Sequence, residues 1–220
     1  MPVTRISRFG IVNAYLVEED DGLTLVDTML PRSAKAILAA AAGRPIRRIA
    51  LTHAHGDHVG SLDALAAELP EAEVLISARD ARLLAKDMTL GPEEQQGKLR
   101  GSYPGTKTRP TREVAAGERI GSLEVVAAPG HTPGHVALLD TRDGTLYCGD
   151  AYSTLGGVAT SAKLNPRFPL PAGATWHRPT ALETAKALRT LEPTRLAPGH
   201  GKVVDSPLRD MDAAIARGAG

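Results

Sequence analysis

Metal-competent side chains follow four separate apolar runs of this sequence. The runs end near Thr52, Ala127, Cys148 and Ala197, and a His or Asp stands within four residues of each end. Short aliphatic runs bounded by Gly, Pro or polar residues are typical of buried strands. In α/β folds, ligands bind in the crevice beyond the carboxyl ends of the strands. We therefore expect the four strand ends to build one site.

Alternating strand and helix patterns predict a layered α/β fold. Strands are predicted at residues 11–18, 23–26, 48–52, 74–76, 123–127, 136–139, 145–148 and 195–197. Helices are predicted at residues 31–42, 61–69, 79–86, 179–191 and 207–217. Asp21-Gly22 separates the first two strands and indicates a hairpin. Ser61 is expected to cap the second helix.

Two irregular segments interrupt this pattern. Residues 87–112 are rich in Gly, Pro and Gln, and residues 151–178 are broken by prolines and paired glycines. Long loops on a rigid scaffold commonly carry substrate specificity. We expect a single domain over residues 1–220, with these two segments as insertions that select the substrate.

The segment from His53 to His58 carries the strongest local signal. In an extended chain, His53 and His55 point to the same side and can bind one ion. Gly56 permits a turn, after which Asp57 and His58 can face a second ion. A polar surface loop is the alternative interpretation, but it would make the ligand-type residues at the other three strand ends a coincidence.

Composition restricts the chemistry further. The chain of 220 residues has one cysteine, Cys148, which excludes an internal disulfide or a Cys-rich zinc site and leaves His and carboxylate as ligands. The formal net charge of +1 is not that of a protein that binds nucleic acid or an anionic membrane surface. No signal-peptide core or membrane-spanning run is present. We therefore predict a cytoplasmic protein with a small-molecule substrate.

Four motifs together resemble a known family. His53-Ala54-His55-Gly56-Asp57-His58 resembles the HxHxDH signature of the metallo-β-lactamase superfamily, and residues 129–135 resemble the third-histidine segment of its glyoxalase II-like and lactonase-like members. Gly149-Asp150 resembles the bridging aspartate, and residues 198–201 resemble the segment of the last histidine. The resemblance extends from about residue 12 to residue 201.

The resemblance implies an αββα sandwich, in which two mixed sheets flanked by helices hold a two-metal site. The ligands implied for one ion are His53, His55 and His131. The ligands implied for the other ion are Asp57, His58 and His200. Asp150 would bridge the two ions. This donor set suits two Zn²⁺ ions, and also Fe or Mn.

The implied activity is that of a binuclear hydrolase. A hydroxide shared by the two ions would attack a small ester, thioester or lactone, with Asp57 among the catalytic residues. In lactonase-like relatives a tyrosine near the bridging aspartate polarises the carbonyl, which implies this role for Tyr152, with ordinary packing as the alternative. His135 and Asp27 are expected to support the ligands by hydrogen bonds.

Other activities of the same family are the alternatives. A mononuclear iron dioxygenase acting on persulfides would use only His53, His131 and Asp150. A β-lactamase is disfavoured, because lactamase branches have cysteine or no protein ligand at the position of Asp150. A nuclease is disfavoured by the near-zero charge and the length of the chain. The sequence does not define the oligomeric state.

Overall fold

The strands of the computed structural model, which describes residues 3–219, form two mixed sheets. The strands of the first sheet are β1 (Thr4–Arg8), β2 (Val12–Glu19), β3 (Gly22–Val26), β4 (Ile46–Ala50), β5 (Glu73–Ser77) and β6 (Arg112–Val114). The strands of the second sheet are β7 (Arg119–Ile120), β8 (Leu123–Ala127), β9 (Val136–Asp140), β10 (Thr145–Gly149), β13 (Arg195–Pro198) and β14 (Val204–Asp205). A separate pair consists of β11 (Tyr152–Ser153) and β12 (Ala159–Thr160).

The pairing brings the carboxyl ends of the ligand-bearing strands to the same region. In the first sheet, β1, β2 and β3 pair in antiparallel fashion, and β3, β4, β5 and β6 follow in parallel. In the second sheet, β10 and β13 are parallel neighbours, whereas β8, β9 and β10 alternate in direction. Strands β8, β10 and β13 therefore run in the same direction, and the loops that follow them leave from one edge of their sheet.

The helices cover the outer face of each sheet. They are α1 (Ala34–Ala41), α2 (Gly56–Val59), α3 (Leu62–Glu68), α4 (Ala78–Leu84), α5 (Leu170–Gly173), α6 (Arg178–Thr190) and α7 (Leu208–Ala219). Ala14 and Leu16 of β2 belong to the buried cluster that includes residues of α1, α3 and α4. Tyr15 and Val17 lie on the opposite face of β2 and pack between the two sheets. Burial of both faces explains why β2 is a continuous run of buried residues over its first six positions.

The second sheet repeats this arrangement on its own outer side. Leu146 and Leu196 pack against Leu188 of α6 and Met211 of α7. The layer order is helices, sheet, sheet, helices, which confirms the αββα sandwich with two mixed sheets.

Several predicted elements differ from the observed ones. Ser61 stands at the N-terminal boundary of α3 but does not cap it, because its hydroxyl donates to Leu30 O and accepts from Ser33 N. Residues 87–111 contain no helix or strand in the described chain, as expected. Residues 151–178 are less irregular than predicted, since they contain β11, β12 and α5. Within residues 3–219, no helix combines the length and the apolar character needed to cross a bilayer. The single-domain organisation stays a prediction.

Candidate metal centre

The loops after β4, β8, β10 and β13 meet between the two sheets and bring seven His and Asp side chains together. The groups whose ligand atoms lie within 4.8 Å of one another are His53, His55 and His131; His53, His58 and Asp150; and Asp57, His58 and His200. All seven residues named as metal ligands from the sequence therefore lie in one cluster. The seven are buried except Asp57, whose side chain is 34% exposed.

His53, His55 and His131 form what we call the triad half of the cluster. The distance from His55 Nδ1 to His53 Nε2 is 3.1 Å, and that to His131 Nε2 is 3.0 Å. Burial lowers the pKa of all three histidines, so their rings are neutral at pH 7. Three neutral rings thus turn nitrogen atoms toward one point.

The outer hydrogen bond of His53 determines which of its nitrogens carries the proton. Thr52 Oγ1 donates to Asp27 Oδ2 at 2.8 Å and therefore accepts from His53 Nδ1, which lies 3.0 Å away. The proton on Nδ1 leaves a lone pair on His53 Nε2, directed into the cluster.

The other two rings of the triad half are fixed in the same way. His55 Nε2 donates to Arg100 O at 2.9 Å, because a carbonyl only accepts. Thr175 Oγ1 donates to Pro171 O at 2.8 Å and therefore accepts from His131 Nδ1 at 3.0 Å. His55 Nδ1 and His131 Nε2 are consequently lone-pair atoms, and both face His53 Nε2.

These lone pairs fit a divalent ion. His55 Nδ1 lies 3.0–3.1 Å from the acceptor atoms of both other rings, and no proton is shared between them, so these nitrogens repel one another unless a cation lies among them. Nitrogens bound at about 2.0–2.1 Å to one ion are about 3.0–3.4 Å apart, which matches these separations. The triad half therefore has the donor atoms and the spacing of a metal site.

Asp57, His58 and His200 form what we call the acid half. Asp57 Oδ2 lies 3.3 Å from His200 Nε2, whose ring donates through Nδ1 to Ile11 O at 3.2 Å. Burial alone would lower the pKa of His200, but Asp150 and Asp57 outweigh it and raise the pKa to about 9. His58 behaves similarly: burial opposes the shift, yet Asp150 and Asp27 raise its pKa well above the usual value. In this half, protons neutralise the carboxylates.

Asp150 lies between the two halves. Its Oδ2 is 3.4 Å from His131 Nε2 and 3.2 Å from His200 Nε2, and its Oδ1 is 3.3 Å from His58 Nε2. His58 Nε2 and Asp150 Oδ1 are buried and have no hydrogen-bond partner, although they are close together. Burial opposes ionisation of Asp150, but His200 and His58 hold its pKa well below the usual range. Asp150 is thus an ionised carboxylate that contacts both halves.

Asp27 supports histidines of both halves. Its Oδ2 accepts from His58 Nδ1 at 2.8 Å and from Thr52 Oγ1 at 2.8 Å, while its Oδ1 accepts from Thr52 N at 2.8 Å. Asp27 adopts a left-handed backbone conformation with φ 58°, which costs free energy for a non-glycine residue. The structure places Asp27 where the sequence analysis expected it, against a ligand-type histidine.

His135 lies against the backbone of Asp150 and not against a carboxylate. Its Nε2 accepts from Asp150 N at 3.0 Å. Burial lowers the pKa of His135 to about 3, so the ring is neutral and can accept this hydrogen bond. A Cβ on Gly149 would lie 2.5 Å from the same Nε2, which explains why glycine precedes Asp150. The sequence analysis expected His135 to support the ligands by hydrogen bonds, and the structure places its hydrogen bond on the backbone of the ligand-type residue Asp150.

Asp80 is a residue near the site that the sequence analysis missed. Its Oδ2 accepts from Ala54 N and Thr132 Oγ1, and its Oδ1 accepts from Gly134 N, all at 2.8–2.9 Å. One buried carboxylate thus joins the loop of His53 and His55 to the loop of His131. Ser77 lies three residues before Asp80, which is a pattern typical of a helix start and could have indicated Asp80 from the sequence. In the structure Ser77 Oγ does accept from Asp80 N.

Tyr152 is the one candidate site residue that the structure places elsewhere. Its side chain is fully buried in the cluster between the second sheet and its helices, and its hydroxyl donates to Ala185 O at 2.7 Å. A register shift between Tyr147 and Gly149, with Gly149 at φ 49°, ends the simple alternation of side chains before this point. The structure therefore places Tyr152 in the core and not at the cluster, which favours ordinary packing over the implied catalytic role.

Residues 100–104, which we call the strap, bring the first irregular segment onto the site. Arg100 O accepts from His55 Nε2, Gly56 N donates to Ser102 O at 2.9 Å, and the Tyr103 ring lies 4.6 Å from the His55 ring. Gly101 has φ 90°, and a Cβ there would lie 2.3 Å from His55 Nε2. The strap therefore packs closely on the triad half and requires glycine at this contact.

A cavity of about 390 Å³ opens onto the cluster, and His55, Asp57, Asp150 and His200 are among the residues that line it. Pro31 and Leu170, from outside the cluster, also line it. Its volume lies near the lower end of the ~300–1,000 Å³ that is usual for small-molecule sites. A small substrate in this cavity would reach the ligand atoms of both halves.

A two-sheet sandwich with His and Asp loops at one edge defines a class of metal-binding proteins that includes hydrolases. The family model of the metallo-beta-lactamase superfamily matches residues 7–200, and the chain belongs to that superfamily.

Two relatives and one solved structure are similar to this chain over most of its length. The uncharacterized protein YobT of Bacillus subtilis (strain 168) is 48% identical over 207 residues, which is 93% of this chain and 89% of YobT. The probable metallo-hydrolase YflN of the same organism is 29% identical over 87% of this chain and 81% of its own length. The crystal structure of TTHA1623 in a di-iron-bound form matches with a TM-score of 0.69 and 26% identity, covering 95% of this chain and 96% of that one.

Proposed function

We propose that this protein is a binuclear metal-dependent hydrolase that cleaves an ester, thioester or lactone bond of a small molecule. One observation carries the proposal: outer hydrogen bonds hold five histidines so that the second ring nitrogen of each faces the cluster. The name of YflN, a probable metallo-hydrolase, supports the reaction class. The di-iron form of TTHA1623 supports two ions and leaves the choice among Zn²⁺, Fe and Mn to experiment.

Bound ions would supply Lewis acidity and a water that loses its proton near neutral pH. Asp57 and Asp150 are the ligand-type carboxylates that line the cavity, and Asp57 is the more exposed of the two. Burial opposes its ionisation, but the hydrogen bond from His200 and the charge of His58 hold its pKa well below the usual range. Asp57 therefore stays ionised in the metal-free protein, where it can accept a hydrogen bond or bind a cation.

The acid half is the observation that separates this proposal from a one-iron dioxygenase. That activity would use His53, His131 and Asp150 and would leave Asp57 and His200 without a ligand role. The contact of 3.3 Å between Asp57 and His200 at the cavity favours a second ion. A cytoplasmic location and the absence of a nucleic-acid partner stay predictions.

Metal analysis combined with a substrate panel tests the proposal. We expect two metal equivalents per chain and hydrolysis of p-nitrophenyl esters, thioesters or lactones that a chelator abolishes and metal restores. Asp57→Ala should reduce turnover by about a thousandfold, equivalent to several kcal/mol of lost transition-state stabilisation. Asp205→Ala is the matched control, because Asp205 is 81% exposed and bonded to Arg195.

Three results would contradict the proposal. Full activity after chelation would exclude a metal-dependent reaction. One iron per chain with oxygen consumption on a persulfide substrate would establish the dioxygenase instead. Turnover of a chromogenic cephalosporin in preference to every ester would establish a β-lactamase.

A further inference from the structure

The cavity over the metal centre has two kinds of wall. The wall formed by ligand-type residues contains His55, Asp57, Asp150 and His200. An apolar wall is formed by Leu30, Pro31, Pro104, Leu170, Pro171 and Ala174. Ser102 of the strap is the one further polar side chain among the lining residues.

The charges of this cavity are as informative as its shape. Among the described residues that line it, none is Lys or Arg. The chain is not short of such residues: it has 26, and Lys163, Arg167 and Arg217 line a second cavity beside α7. A carboxylate or phosphate held against the apolar wall would lose water and gain no partner there, which disfavours its binding.

We propose that the site takes substrates whose acyl group is neutral and apolar, and that Leu170 is a specificity-determining residue. This proposal rests on the proposed function and names its substrate class. The acyl chain lies against the wall formed by Leu30, Pro31 and Leu170, while the scissile carbonyl faces Asp57 and His200. Leu170 is 64% exposed at the mouth of the cavity, so it loses solvent contact when an apolar chain binds.

The proposal excludes two kinds of substrate. Thioesters with an anionic acyl end place a carboxylate on the apolar wall. β-Lactam antibiotics carry a carboxylate beside the scissile bond, and no Lys or Arg stands among the described lining residues to bind it. The selectivity is a difference between the affinities for neutral and anionic substrates. It arises because the anionic substrate leaves its charge unpaired in the complex.

Matched esters provide the first test. The metal-loaded full chain is assayed with p-nitrophenyl hexanoate and with the p-nitrophenyl monoester of adipic acid, which differs by a terminal carboxylate. We expect kcat/KM to be at least about tenfold higher for the neutral ester, the ratio that corresponds to about 1.4 kcal/mol. Equal rates, or a preference for the carboxylate ester, would overturn the proposal.

Leu170→Lys tests the role of the wall directly. A lysine at this exposed position offers the missing cation, and we expect the ratio of kcat/KM between the two esters to fall by about tenfold. Leu191→Lys is the matched control, because Leu191 is also an exposed leucine, at the end of α6 and outside the cavity, and should leave the ratio unchanged. An unchanged ratio in Leu170→Lys would refute the assignment of Leu170.

A binding measurement separates this proposal from the hydrolase proposal. Hexanohydroxamic acid and its ω-carboxylate analogue both present a metal-binding group and require no turnover. We expect the neutral compound to bind the metal-loaded protein at least about tenfold more tightly by calorimetry. If no ester is hydrolysed but this selectivity holds, the hydrolase proposal fails and the apolar site stands. If both compounds bind equally, the apolar site is refuted whatever the protein hydrolyses.

Discussion

The triad half and the acid half of the metal centre solve the same electrostatic problem in different ways. His53, His55 and His131 are deeply buried and neutral, and outer hydrogen bonds keep their inner nitrogens free of protons. In the acid half, His200 has a raised pKa and shares its proton with Asp57 and Asp150. The triad half is thus ready for a cation, whereas the acid half must release protons before one binds.

Asp150 is the residue on which this comparison depends most, because it contacts both halves. Asp150→Asn removes the negative charge and points an N–H donor at a histidine nitrogen. We expect the metal content to fall well below two equivalents and turnover to fall by more than about a thousandfold. Elemental analysis and esterase assays measure the two effects.

Asp205→Asn is the control for this substitution, because Asp205 is an exposed carboxylate that pairs with Arg195 at the start of β13, the end away from His200. It should retain both metal equivalents and full turnover. Two retained metal equivalents in Asp150→Asn would show that the halves do not depend on this carboxylate.

The second prediction concerns proton release on metal binding. Metal binding to the acid half displaces the proton of His200, whose pKa is about 9, and that of His58, whose pKa is also raised. Affinity should therefore rise at least about tenfold per pH unit, or at least about a hundredfold from pH 6 to pH 8. The triad half has lowered pKa values and should show little change over this range. Asp57→Ala removes a ligand-type residue of the acid half, so metal binding to the triad half can be measured by itself. His55→Ala removes one from the triad half, so metal binding to the acid half can be measured by itself.

Calorimetry in two buffers of different ionisation enthalpy counts the protons released by each variant. We expect at least one proton per ion for His55→Ala and close to none for Asp57→Ala. If Asp57→Ala released more protons than His55→Ala, the assignment of the proton-bearing histidines to the acid half would be wrong.

Short-range patterns explain why the sequence predicted the ligands so well. His53, His55, Asp57 and His58 lie within six residues, and each of the other three ligand-type residues directly follows an apolar strand. Short continuous apolar runs likewise indicated the main strands, because each sheet is buried on both faces. These features are local in the sequence, so periodicity and spacing suffice to find them.

The supporting contacts were harder to predict because they join distant segments. Thr175 reaches His131 across 44 residues, and Asp80 reaches Thr132 across 52 residues. Tyr152 shows the opposite error: its closeness in sequence to Asp150 suggested a shared site, but the irregular backbone at Gly149 turns it into the core. Closeness in sequence predicts which side chains share a site along a regular strand. It does not do so where a bulge turns the backbone.

Asp27 and Thr175 allow the two halves to be weakened separately. Asp27→Asn must place its NH₂ against either His58 Nδ1–H or Thr52 N–H, which favours the wrong His58 tautomer. We expect a loss of about 10–100-fold in metal affinity, mainly for the acid half. Thr175→Val removes the partner of His131 Nδ1 and should weaken only the triad half. Competition with a chromogenic chelator measures both affinities, and equal losses in both variants would contradict independent support.

The smallest expected effect concerns Asp80, which joins the loops of the triad half. Burial raises its pKa to about 6 against an unfolded value near 3.8. The folded state therefore binds more protons than the unfolded state between these values, and the free energy of unfolding falls as the pH rises through this range. A shift of about two pKa units corresponds to about 3 kcal/mol, as an upper bound for so buried a group.

Denaturation of the metal-free wild type and of Asp80→Asn from pH 4 to pH 7 measures this contribution. We expect the wild type to lose stability relative to the variant as the pH rises, because only the wild type ionises a carboxylate at this position. Asp63→Asn is the matched control: Asp63 also accepts two backbone N–H bonds, from Lys107 and Thr108, but its pKa is lowered, so its contribution has the opposite sign. A pH-independent difference between wild type and Asp80→Asn would mean that three hydrogen bonds keep Asp80 ionised despite its burial, and that the loops of the triad half are joined by a permanent charge.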